Sequence, residues 1–173
     1  EKISGRFRFS AEHNTESPEY DPNDLGYLRS PDERSQNVSV SYSIREPFWK
    51  LLNWHNSVSF RYNTMFDYND FISTRINIST RATTNKHLSF GLSSQIKPIM
   101  GYDYHEPRVA GYKFKTASWQ NGSFWLSSDY RKTFAMDVRF GGWVANQYDQ
   151  SGLWYSVSPR LRLGEKFQLV YDF

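Results

Sequence analysis

Residues 72–82 read ISTRINISTRA. Ile72, Thr74, Ile76, Ile78, Thr80 and Ala82 take the even positions, and Ser73, Arg75, Asn77, Ser79 and Arg81 the odd ones. A strict period of two is the mark of a β-strand whose faces meet different surroundings. Two opposite architectures share it. In a soluble barrel or sandwich the isoleucines point inward and the arginines meet bulk water. In a membrane barrel the isoleucines meet lipid and the arginines line the interior.

The same alternation recurs in 2–13, 37–45, 57–68, 87–97, 109–118, 123–131, 133–142, 153–163 and 166–173, which makes about ten strands in all. The stretch EPFWKLLNW (46–54) admits one short turn of helix, too brief to form a layer. Short turns are expected at 67–70, 83–86, 119–123 with its Asn121-Gly122 pair, and 164–166; long connections are expected at 14–34, 97–108 and 143–152. On this strand count the first two long loops share one end of the array and the third falls at the other.

The chain has 173 residues, enough for one domain with a sizeable core. No apolar run approaches the roughly 20 residues of a membrane-spanning helix. The absence of cysteine excludes disulfides and thiolate chemistry, and a net charge of +3 gives no argument for nucleic-acid binding. Aromatic residues reach 18%, high for so polar a chain. The opening residues read as the interior of an alternating segment and not as a leader. The expectation is a single outer-membrane β-barrel domain over 1–173, a fragment of a longer chain.

Three features point the apolar face toward lipid. The polar face is rich in Ser, Asn, Gln and Arg, and its charge is mostly of one sign. Arg6, Arg8, Arg45, Arg61, Arg75, Arg81, Arg139, Arg160 and Arg162, with Lys113, Lys115 and Arg131, face only Glu12, Asp67, Asp129, Asp137 and Asp172. The apolar face keeps its period in almost every strand. Aromatics gather near the expected strand ends, at Tyr68, Phe71, Trp119, Trp143, Trp154 and Tyr155, as in an interfacial girdle. The fold favoured is an all-β, antiparallel up-and-down transmembrane barrel; the alternative is a soluble, lipocalin-like barrel with an apolar ligand pocket.

The stretch EYDPNDLGYL (19–28), the SQNVSVSY strand, YDYHEPR (102–108) and SSDYRK (127–132) together resemble a family of outer-membrane proteins common in Bacteroidota. Its members carry a family-9 carbohydrate-binding-like sandwich followed by a C-terminal β-barrel of unassigned function. Tyr20 to Gly26 is the most specific element. The resemblance implies the barrel part only, with more strands than counted here, and transfers no sugar-binding residue. The terminal FQLVYDF resembles either an assembly signal or a cut made mid-barrel.

Few groups suggest chemistry. Asp21, Asn23 and Asp24 have the oxygens of a calcium loop but lack its glycine and distal glutamate spacing; an Asx turn around Pro22 is the plainer reading. Asp103, His105 and Glu106 share a long loop, without HExxH or a GxSxG elsewhere to join. The arginines suit anionic solutes or an acidic plug, or are neutralised by Glu12, Asp67, Asp129 and Asp137; a narrow lumen favours neutralisation. The expectation is a non-enzymatic anchor, scaffold or narrow pore of the Gram-negative outer membrane, without cofactor or metal. Its expected partners are outer-membrane lipid, other envelope proteins, or a carbohydrate held by an N-terminal domain not included here, and not nucleic acid. A soluble ligand-binding barrel and a barrel enzyme acting on lipid or glycan are the alternatives.

Overall fold

A computed structural model describes residues 1–2, 4–20, 32–109, 111–147, 149–164 and 167–172. The described residues are all-β and contain no helix. The strands are β1 (Phe7–Glu16), β2 (Glu33–Ile44), β3 (Leu51–Met65), β4 (Phe71–Thr84), β5 (Ser89–Lys97), β6 (Gly101–Asp103), β7 (Phe114–Thr116), β8 (Trp119–Ser127), β9 (Phe134–Ala145), β10 (Gln150–Leu163) and β11 (Phe167–Val170). Nine of them form one antiparallel meander in the order β1-β2-β3-β4-β5-β8-β9-β10-β11, while β6 and β7 make a separate two-stranded hairpin. Among the described residues β1 and β11 do not pair with each other, so the sheet is open at both edges.

Several local expectations are corrected. Residues 46–50 form a tight hairpin turn closed by the Phe48–Leu51 bridge, with Trp49 at a φ of 50°, and not a helical turn. The apparent strand at 109–118 shrinks to Phe114–Thr116, inside an excursion between β5 and β8. Asn121 and Gly122 lie mid-strand in β8, paired with Gln95 and Ser94 on one side and with Trp143 and Gly142 on the other. The adjacent strands continue the ladder through this pair, and cross-strand pairing overrides its turn preference. Removing one strand from the count also places 17–32, 66–70, 98–118 and 146–149 at one end, which holds the two long connections, 17–32 and 98–118. The turns at 45–50, 85–88, 128–133 and 164–166, none longer than six residues, lie at the other, the tight-turn end.

Register carries the alternation across strands. Ala11, Val38, Phe60, Ile76 and Ile96 stand side by side on β1 to β5, and Phe9, Val40, Val58 and Ile78 form the next row. Farther along, Leu92, Phe124, Phe140 and Tyr155 continue the same face over β5 to β10. Nothing in the described chain covers it. Val58, Phe60, Ile78 and Phe140 are 43–52% exposed, and the buried hydrophobic residues are only Met65, Ala82 and Ala135. The accessible surface is 12617 Å², against about 8,800 Å² expected of a compact monomer of this mass.

The opposite face is stitched by small polar side chains. Ser41, Ser57, Ser79, Ser93 and Ser123 are successive register partners, with hydroxyls 2.8 Å apart at Ser57–Ser79 and 2.7 Å at Ser93–Ser123. One row away, Ser10 and Ser39 bond at 2.7 Å, and Asn77 donates to Ser59 at 3.0 Å. Such cross-strand pairs stabilise a sheet without an apolar core.

Candidate functional site

Arg8, Arg61, Arg75, Arg81, Arg139, Arg160 and Arg162 all lie on the serine-bearing face, as their register partners show. Arg6 and Arg45 flank β1 and β2 at the tight-turn end. The expected neutralisation is not what holds them. Among the described residues the ion pairs are Arg6–Glu46 at 3.5 Å and Arg131–Asp129 at 2.8 Å. Asp137 instead accepts hydrogen bonds from Ser127 and Tyr130, both close to it on the same face. Arg160 stacks 4.4 Å over the Tyr130 ring, with its Nε buried and unpartnered. Among the described residues, most arginines of this face therefore lie outside any ion pair, although Glu33 is near enough to Arg61 to interact with its charge.

The girdle expectation also changes. Trp119, Trp143 and Trp154 pair with Lys97, Asn121 and Gly141, which puts all three on the polar face along with Trp125. Three of these rings lie against glycines of neighbouring strands: Trp125 on Gly91, Trp143 on Gly152 and Trp154 on Gly141. A Cβ on Gly91 would come within 2.4 Å of the Trp125 Nε1, so the glycine is there to admit the indole. Tyr155 keeps its apolar-face position, 75% exposed beside Phe140. Tyr68 sits in the β3–β4 turn, 80% exposed, and Phe71 packs on Tyr62 with centroids 5.6 Å apart.

At the long-loop end the β6–β7 hairpin leans over the polar face. Gly101 lies so close to the Ile72 carbonyl that a Cβ would fall 2.2 Å from it, which requires glycine. Tyr104 donates its hydroxyl to the Phe71 carbonyl at 3.2 Å, and Lys97, only 7% exposed, donates to Thr116 at 2.5 Å. Beneath the hairpin is a cavity of about 370 Å³. Asn63, Ser73, Arg75, Lys97 and Trp119 form its floor, and Tyr102, Tyr104 and His105 its roof. The Arg75 guanidinium lies 5.6 Å from the Trp119 ring, and Lys113 sits 4.3 Å over Tyr102. Among the described residues Asn63 Oδ1 is buried without a hydrogen-bond partner.

Of the loop residues singled out in sequence, Asp103 and His105 line this cavity. Asp103 shapes the turn by accepting the backbone N–H groups of His105 and Glu106 at 2.9 and 3.0 Å, and Glu106 is exposed. Asp21, Asn23 and Asp24 lie outside the described residues. Lys97, Asn63, Tyr102 and Tyr104 were not foreseen as one group. Only the period-two position of Lys97 and Asn63 on the arginine face hinted at it. At the tight-turn end, two hydrogen bonds from Arg131 hold the Asp129 carboxyl well below the usual carboxylate range. Burial, reinforced by the bond to Asp137, raises the Tyr130 phenol.

Fold and site together define an open, amphipathic antiparallel sheet with an arginine-rich polar face. The chain belongs to the DUF5916 family, described as a domain of unknown function, whose model matches residues 1–173. Neither a curated protein nor a solved structure matches it.

Proposed function

We propose that this sheet is a wall of an outer-membrane β-barrel of a Gram-negative bacterium, acting as an anchor or scaffold for envelope partners, with its apolar face on lipid. One observation carries the reading: a single continuous apolar face runs across the nine-stranded sheet and is covered by none of the described residues. Soluble monomers rarely expose a contiguous apolar patch beyond a few hundred Å². A bilayer supplies the missing cover, and further strands at the β1 and β11 edges would close the barrel.

Three further features agree. The two long connections, 17–32 and 98–118, share one end, and no connection at the other exceeds six residues, in keeping with the asymmetry of outer-membrane barrels. Ser59 on β3 and Trp154 on β10 line one cavity of about 570 Å³, although a flat sheet would part those strands by about 24 Å; the polar face therefore curls toward itself. At the tight-turn end Lys50, Lys86 and Lys132 rim an apolar groove of Leu88, Phe134 and Met136, with Trp49 82% exposed beside them. Amines above apolar side chains suit a lipid headgroup boundary. The resemblance carried by Tyr20 to Gly26 supports the same envelope location and the display of a second domain.

Flotation with phospholipid vesicles tests the reading. The purified full-length protein should need detergent and should migrate with lipid in the presence of high salt. A monodisperse, detergent-free monomer that stays with the aqueous fraction would contradict it. Planar-bilayer recording separates the two roles: conductance steps favouring anions identify a pore, and their absence leaves the anchor.

A further inference from the structure

We infer that the cavity under the β6–β7 hairpin is a binding site for an acidic sugar, a hydroxyl-bearing ring with one carboxylate. The floor presents two cations from adjacent strands, Arg75 and Lys97; the roof adds the His105 ring as a hydrogen-bonding group, and the carboxylates of Glu33 and Asp103 also line the cavity. Lys97 spends one of its donors on Thr116 and keeps others for a ligand. A carboxylate placed there receives charge-assisted hydrogen bonds. Beside these donors, Asn63 Oδ1 is a buried acceptor with no partner among the described residues, an arrangement that costs free energy until a donor arrives. A ring hydroxyl is such a donor, and Glu33 and Ser73 line the same wall to receive others.

Tyr102, Tyr104 and Trp119 supply flat apolar walls, suited to the C–H faces of a sugar ring. The volume, about 370 Å³, lies at the small end of ligand pockets. A bare inorganic anion would leave the asparagine unmet and the aromatic walls idle. A neutral sugar would leave Arg75, which forms no ion pair among the described residues, without a counter-charge in contact. The combination selects a ligand carrying both functions. The cavity belongs to the polar face and its hairpin, so the site does not depend on what covers the apolar face.

The test is calorimetric titration of the full-length protein in detergent with D-glucuronate, D-glucose and acetate. Glucuronate should bind, with glucose and acetate each at least tenfold weaker. Arg75→Gln should weaken glucuronate at least tenfold, the effect of losing one charge-assisted hydrogen bond. Arg75 is exposed on its strand, so this variant should fold. Arg162→Gln, on the same face but on β10 at the tight-turn end and outside the cavity lining, should bind as the parent does. No heat with glucuronate, equal affinity for glucose or acetate, or an Arg75→Gln variant that binds unchanged would each overturn the assignment.

Discussion

Arg61 on β3 and Arg75 on β4 are direct register partners, two like charges side by side, and among the described residues no carboxylate lies within ion-pairing distance of either. Directly opposed like charges weaken a sheet. Lys97 adds a third cation beside Arg75, and Glu33, which interacts with the Arg61 charge without an ion pair, offsets the three only in part. Replacing Arg61 with Glu should convert repulsion into attraction and stabilise the sheet by about 0.5 kcal/mol. Urea unfolding in detergent micelles measures it, and a clear loss of stability would show that the pair is not in conflict.

The two faces should respond oppositely to charge. Val58→Arg or Ile78→Arg places a guanidinium on the apolar face and should cost about 2–4 kcal/mol in a bilayer, if those positions lie near its midplane. Ser57→Arg, one residue from Val58 but on the other face, should cost far less. Reversible unfolding from phospholipid vesicles compares them, and similar costs for both faces would undo the lipid-facing assignment.

The indole that rests on Gly91 makes that position intolerant of any side chain. Gly91→Ala should displace the Trp125 ring, at a cost of about 1–3 kcal/mol for overpacking, and shift the tryptophan emission. An alanine variant with unchanged stability and spectrum would mean that the ring does not rest there.

The Asp129 carboxyl is held below its ordinary value by Arg131. A depressed folded-state pKa means that its contribution is present above the unfolded value of about 3.9 and is lost as pH falls through the lower, folded one. Carbon-13 NMR should show Asp129 still ionised when exposed carboxyls have protonated, and Arg131→Gln should return it to the ordinary range. A normal titration in the parent would remove the hydrogen-bonded pair.

Period-two patterning was enough to locate β1 to β5 and β8 to β11, because each of these strands has one apolar and one polar face. It misled where local signals and pairing disagree. Asn121-Gly122 reads as a turn but is held extended by strands on both sides. VAGYKFKTAS alternates, yet only Phe114–Thr116 pairs, and with Gly101–Asp103 alone. Counting it as a full strand put the 146–149 turn at the wrong end. The tryptophans were assigned to a girdle because a one-dimensional pattern does not show that a glycine on the next strand leaves room for each ring. The candidate cavity was hidden for a related reason. Asn63, Arg75 and Lys97 come from three strands, and their meeting with Tyr102 and Tyr104 depends on register and on where the hairpin folds.

Direction of the faces decides the account, and the lack of native cysteine makes it directly measurable. Single cysteines at positions 57, 58, 78 and 79 can carry a nitroxide label in the protein reconstituted into vesicles, with collision rates read against oxygen and a water-soluble nickel chelate. Labels at 58 and 78 should meet oxygen and be shielded from nickel, while labels at 57 and 79 should meet nickel. If 58 and 78 are shielded from both reagents, or open to nickel, the apolar face does not lie on lipid.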